Sequence, residues 1–134
     1  IEGLKARIRE CDDPFIGESV PERRLEERFP SGIKSTWVFV IRPHTRIPLH
    51  HHPNSTQHTV VIEGGGKVKI DDRLFDVKRF NPKDPPPTWY AIGKSIPHQF
   101  VTEDLPVVVM SFHTCRAGEL IEVETESGRS RFYE

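Results

Sequence analysis

From Thr36 onward, proline and glycine cut the chain into short β-prone runs at nearly regular intervals. That punctuation limits what the chain can fold into. "TWVFVI" (36–41) stops at "RPH", "HTVVIEG" (58–64) stops at three glycines, and "KVKID" (67–71) turns at "DD" into "RLFDVKRF". After the proline-braced loop "NPKDPPP" (81–87) come "TWYAI" (88–92), "HQFVT" (98–102), "PVVVMSFH" (106–113) and "ELIEVET" (119–125). β-Branched and aromatic side chains suit a pleated surface, whereas glycine and proline interrupt it. Parallel strands need a long crossover, usually a helix, between partners. Strands this short and this evenly spaced are therefore expected to form an all-β antiparallel sandwich or barrel. The series contains no βαβ rhythm, internal repeat, phosphate-binding glycine loop or nucleophile elbow.

The first residues read differently. "IEGLKARIRECD" places Ile1, Leu4, Ile8 and Cys11 at helical spacing, which predicts a short amphipathic helix over 1–12. "SVPERRLEERF" reads as a further helical turn or a charged connector. At 134 residues one domain is the expectation. It divides into an N-terminal extension over 1–30 and a single barrel over 31–134.

A net charge of −1 argues against a general nucleic-acid binder, which is usually strongly basic. No apolar run approaches the length that spans a bilayer. The two cysteines, Cys11 and Cys115, are read as separate thiols of a cytoplasmic protein.

Four of the seven histidines fall in "PLHHHPNSTQHTVVIEGGG" (48–66). Side chains alternate sides along a strand, so His50 and His52 share one face and His51 looks away. "PNST" then turns the chain back, and Gln57 opens the next strand close to where the first ended. His50, His52 and Gln57 are expected to converge, and His51 and His58 are not. A metal site needs a further ligand from elsewhere in the barrel, and "SIPHQF" offers His98 at the start of a strand.

These residues carry a family resemblance. His50, His52, Gln57 and Gly64 follow the spacing of the first motif of the cupin superfamily (His-x-His-x4-Glu-x6-Gly), with glutamine in the glutamate position. "GKSIPH" (93–98) resembles the second motif, Pro-x-Gly-x-x-His. Gly93 stands for the proline, Ser95 for the glycine and His98 for the histidine. Pro87 and Thr102 stand where that motif customarily has glycine and asparagine, and "NPKD" (81–84) stands where cupins have a "PGD" turn. The resemblance covers roughly residues 36–115. It implies an antiparallel jelly-roll barrel of six to eight strands enclosing a single divalent transition metal held by His50, His52, Gln57 and His98. Barrels of this kind often pair, so a homodimer is expected.

The family's usual ligand set is three histidines and a carboxylate. Gln57 is neutral, so the ion would keep its full charge and polarise a bound carbonyl more strongly. Loss of the hard carboxylate shifts the expected metal from Mn²⁺ toward Zn²⁺, Ni²⁺ or Fe²⁺. The His-His-Gln-His set resembles that of cupins that rearrange unsaturated uronic acids in pectin breakdown. Tyr90 reads as an acid in the pocket or as ordinary core packing, and His113 as an acid/base residue, an extra ligand or an exposed strand end. Arg42, Arg46, Lys67 and Lys69 either draw an anionic substrate to the mouth or guard strand edges. Three functions remain open at this level. One is Lewis-acid chemistry on a small oxygenated substrate such as a carboxylate or sugar acid. The second is a non-haem iron dioxygenase, and the third is a non-catalytic module that binds or senses a small molecule.

Overall fold

The structure, a computed structural model, describes residues 1–20 and 32–132. One helix, α1 (Glu2–Glu10), precedes β1 (Phe15–Ser19), β2 (Ser35–Ile41), β3 (His50–His51), β4 (Gln57–Glu63), β5 (Gly66–Ile70) and β6 (Arg73–Asp76). There follow β7 (Tyr90–Ile92), β8 (His98–Thr102), β9 (Val107–His113), β10 (Ile121–Glu124) and β11 (Ser130–Phe132), with short 3-10 turns at Pro86–Thr88 and Ala117–Glu119. The strands form two antiparallel sheets, ordered β1-β2-β9-β4-β7 and β11-β10-β3-β8-β5-β6. From β2 to β5, and again from β6 to β10, the chain changes sheet at each successive strand. The two antiparallel sheets are the all-β arrangement the punctuation predicted, and the alternation between them is the jelly roll that the family resemblance implied. Among the described residues the sheets do not close into one continuous barrel. The expected helix is α1, while the further turn or connector read in "SVPERRLEERF" lies outside the described residues from residue 21 onward.

Gly64 and Gly66 make the passage from β4 to β5 possible. Both have positive φ (86° and 144°), and a Cβ at Gly64 would lie 2.3 Å from the carbonyl oxygen of Pro106. Only glycine takes this backbone without strain and lets the strands come so close.

Strand β9 shows how the interior is divided. Val107 and Val109 face inward and join Ile41, Ile47, Val61, Val68 and Phe100 in the apolar core between the sheets. Ser111 and His113, further along the same face, are also buried but polar. The space between the sheets is thus packed with hydrocarbon at one end and lined by polar groups at the other. On the outward face, Val108 packs with Val38, Val40 and the α1 residues Leu4 and Ile8.

The N-terminal extension is stitched to the sheet. β1 pairs along its whole length with β2. Lys5 on α1 forms a 2.6 Å ion pair with Glu63. Arg42 does more: its Nε donates to the carbonyl of Asp13 at 2.7 Å, and its terminal nitrogen donates to the carbonyls of Ile8 and Cys11. The Ile8 and Cys11 carbonyls lie at the negative end of α1, where a cation is favoured. The alternative of Arg42 drawing an anionic substrate is therefore corrected, because its guanidinium is committed to the end of α1. Lys67 is likewise occupied, bridging to Asp76 at 2.6 Å across the exposed β5–β6 edge. The two cysteines are free, Cys115 buried and Cys11 half-buried.

Replacing Arg42 with alanine is expected to destabilise the protein by about 1–3 kcal/mol, the scale for hydrogen bonds to a charged group. It should also speed proteolytic cutting within the first fourteen residues, with Arg42→Lys intermediate. Urea unfolding combined with timed proteolysis measures both. An unchanged cutting rate would show that Arg42 does not hold the extension.

Candidate metal centre

Three imidazoles come from one sheet. His50 lies in β3 directly opposite His98 in β8, and His52 follows just beyond β3. Their ring centroids are 4.3 Å apart for His50–His98, and 5.3 Å for both His50–His52 and His52–His98. One nitrogen from each ring falls within 4.8 Å of the others. All three rings are buried.

Each ring is tied to the backbone through the same atom. Nδ1 lies 2.8 Å from the carbonyl of Pro48 in His50, 2.8 Å from that of Ile121 in His52, and 2.9 Å from that of Ile96 in His98. A carbonyl oxygen only accepts, so Nδ1 must carry the hydrogen. Burial, with His50 nearby, lowers the pKa of His52 to about 4 and that of His98 well below 6.5. These two rings are therefore neutral at pH 7, with Nε2 unprotonated. A hydrogen bond on one ring nitrogen that fixes the other as donor to a metal is the arrangement metal-binding histidines use.

The facing sheet supplies Gln57, Ser111 and His113, with Gln57 and His113 paired across β4 and β9. Gln57 Nε2 donates to the hydroxyls of Thr59 at 2.7 Å and Ser111 at 3.3 Å. With both amide hydrogens engaged, the oxygen is turned into the cavity. Gln57 Oε1 and His98 Nε2 are both buried without a hydrogen-bond partner among the described residues. An unsatisfied buried polar atom costs about 1–3 kcal/mol. Both orphans are electron-pair donors, and they line one cavity of about 40 Å³ with His50, His52, Ser111 and His113. A single water offers only two hydrogens to such a set. A divalent cation fits it, since imidazole nitrogen and amide oxygen are ordinary ligands for the later first-row metals.

His113 does reach this cavity. Its ring centre is 5.0 Å from that of His52, its Nδ1 is 2.9 Å from Ser55 Oγ, and burial lowers its pKa to about 3. Tyr90 does not reach it. Its ring packs against the apolar core at the other end, and its hydroxyl accepts from the Lys78 backbone N–H at 3.0 Å. Trp89 faces outward, stacked on Phe112 and donating to His58 at 2.9 Å. His51 turns away toward Thr125, and His44 pairs with Asp104 in an exposed turn.

Sequence reasoning missed Glu122. One of its oxygens is 3.5 Å from His50 Nε2, and the other accepts from Arg131 Nε at 2.7 Å. His50 and Glu122 also line a larger cleft of about 740 Å³, bounded by β1 on one side and the β10–β11 hairpin on the other. His50, with Phe15, Phe39 and Ile47, lines both the inner cavity and this cleft. Among the described residues, no helix is long and apolar enough to cross a membrane.

No protein-family model and no curated protein matches the sequence. Solved structures do resemble it. The DMSP lyase DddQ from Ruegeria pomeroyi DSS-3 superposes with a TM-score of 0.65 at 16% identity, over 87% of this chain and 54% of that one. The cupin-2 domain of an XRE family transcriptional regulator from Enterobacter cloacae gives 0.56 at 15% identity, over 77% and 98%. A recombinant oxalate oxidase in complex with glycolate gives 0.56 at 16% identity, over 78% and 52%. This chain therefore spans about half the length of the lyase and of the oxidase, and nearly all of the regulator's domain. The two-sheet jelly roll, its strand order and these likenesses agree: the fold is that of the cupin superfamily.

Proposed function

We propose that the chain binds one divalent transition metal through His50, His52 and His98, with the amide oxygen of Gln57 as a fourth, neutral donor. We propose further that it uses this centre on a small oxygenated molecule such as a carboxylate or sugar acid. One observation carries the reading: three Nδ1–H groups are locked on backbone carbonyls, while the buried Nε2 of His98 is left without a partner. When bound, the ion would act as a Lewis acid on a carbonyl or carboxylate oxygen. His50, His52 and His98 hold the ion, and Thr59 and Ser111 keep the Gln57 oxygen turned inward. The apolar core below the site excludes water from that end. His113, fixed by Ser55 beside His52, is placed to exchange a hydrogen bond with a substrate in the cavity. The cleft beyond His50 admits a small molecule and leads it to the triad. The lyase and the glycolate-bound oxidase support an enzymatic reading by their shared fold.

A second reading has its own support. The regulator's domain covers the same length as this fold, and Tyr90, a candidate acid, stands away from the cavity. That leaves His113 as the one candidate acid/base residue still at the centre, so a binding or sensing module is the alternative.

Protein purified without a nickel column is expected to carry about one metal per chain by elemental analysis. His98→Ala should lose most of it while remaining folded by circular dichroism. A metal-free wild type that also fails to take up added Zn²⁺, Ni²⁺ or Fe²⁺ would overturn the reading. Turnover of small carboxylates or sugar acids that is abolished in His52→Ala would support the enzyme, and saturable binding without turnover would support the sensor.

The lowered histidine pKa values give a signed pH dependence. Unfolded histidines take up protons below about 6.5. His52 resists protonation down to about 4 and His113 to about 3. The unfolded state therefore binds more protons over that window, and the chelator-stripped protein loses stability as pH falls. The slope is up to about 1.4 kcal/mol per pH unit per histidine. Thermal unfolding of the stripped protein from pH 7 to 4 should show this decline, and a flat profile would contradict the buried, neutral state of these rings.

A further inference from the structure

The metal reading leaves a charge problem. Three neutral imidazoles and a neutral amide would surround a doubly charged ion in a buried cavity, and an uncompensated buried charge is costly. Position 57 supplies no carboxylate. Among the described residues the acid that pairs with a member of the triad is Glu122, on β10, sixty-five positions later in the chain.

Three facts single it out. Its side chain is only 12% exposed, unusual for a glutamate, and one oxygen lies 3.5 Å from His50 Nε2. Its other oxygen is held by Arg131 Nε on the neighbouring strand β11 at 2.7 Å. And it lines the outer cleft together with His50, which also lines the inner cavity. Glu124, two positions on, pairs with His50 in the sheet but reaches neither His50's ring nor Arg131 by any ion pair among the described residues. The orphaned lone pairs of His98 and Gln57 show independently that a cation belongs in the inner cavity; the ligand atoms already within 4.8 Å of one another there are those of the three histidines, so Glu122 would join them by turning its carboxylate inward past His50.

Resting on the metal reading above, we propose that Glu122 supplies the centre's carboxylate, ligating the ion from the cleft side in place of the acid that position 57 lacks, and that Arg131 is its positioning residue. The centre then has one negative ligand, brought by the β10–β11 hairpin rather than by the strand that carries Gln57. Arg131, itself 60% exposed, keeps the carboxylate oriented toward His50 when the site is empty of metal.

Cobalt(II) is the probe, because its visible absorption reports the ligand set directly. Chelator-stripped wild type, Glu122→Gln, Glu122→Asp, Arg131→Ala and Glu124→Gln are titrated with Co²⁺, following absorption and binding affinity. Glu122→Gln should bind at least tenfold more weakly and with a changed visible spectrum, at unaltered far-ultraviolet circular dichroism. Glu122→Asp should recover part of the spectrum if the Gln variant folds poorly. Arg131→Ala should also weaken binding, by less than Glu122→Gln does. Glu124→Gln should match wild type. Wild-type affinity and spectrum in Glu122→Gln would overturn the assignment while leaving the triad intact. Failure of wild type to bind Co²⁺ at all would overturn both.

Discussion

Three N–H groups aimed away from the cavity determine what the interior can do. An imidazole free to rotate and change tautomer presents either nitrogen, and it loses side-chain entropy when a ligand fixes it. In this chain the backbone carbonyls of Pro48, Ile96 and Ile121 fix each ring in advance. Two of those bonds are local, each from a histidine to the carbonyl two residues before it. The third joins His52 to the start of β10. The hairpin that carries Glu122 is thereby registered against the triad through the same bond that orients His52. Any slip of β10 would disturb a candidate ligand and its neighbouring acid together.

The two ends of the interior support one another. β9 supplies valines to the core and, four to six residues on, Ser111 and His113 to the cavity. Packed hydrocarbon beneath the polar end keeps that end dry and low in dielectric, and this is what drives the histidine pKa values down. Neutral imidazoles at pH 7 are what a metal requires, so core packing and ligand readiness have a common cause. α1 and β1 contribute from outside: the helix shields the outer valines, and β1 forms one wall of the cleft.

Much of this was readable from residue order. Period-two alternation put His50 and His52 on one side and His51 on the other, and the four-residue turn brought Gln57 back to meet them. Eight strand runs were visible from their β-branched content. β1 was not, because "FIGES" is short, contains glycine and has no alternation strong enough to stand out. β11, "SRF", is shorter still and owes its existence to pairing with β10. Tyr90 was a candidate for the site, beside its reading as core packing, because it precedes the second histidine motif. Sequence distance misled there: β7 pairs with β4, and Thr59, Tyr90's partner, lies two residues beyond Gln57, which directs the ring to the apolar end. Arg42 was ambiguous because nothing in the order of residues shows that a helix ends beside it.

Glu122 was hidden for a different reason. "ELIEVET" reads as a strand with acids at alternate positions, and such acids normally face water. Which face was inward depended on the register of β10 against β3, and Glu124 opposite His50 sets it. Register over seventy residues of separation is a property of the assembled sheets. Once it is known, an alternating acid two residues from a histidine's partner is no longer ordinary: it sits on the inner face, nearly buried, with Arg131 pairing one oxygen and the other beside His50. A fold that keeps a glutamate there and a glutamine at position 57 has moved its negative charge from the strand that builds the cavity to the hairpin that borders its opening. The charge then lies where an incoming molecule meets it, so the same carboxylate that balances an ion would also bear on what can approach that ion.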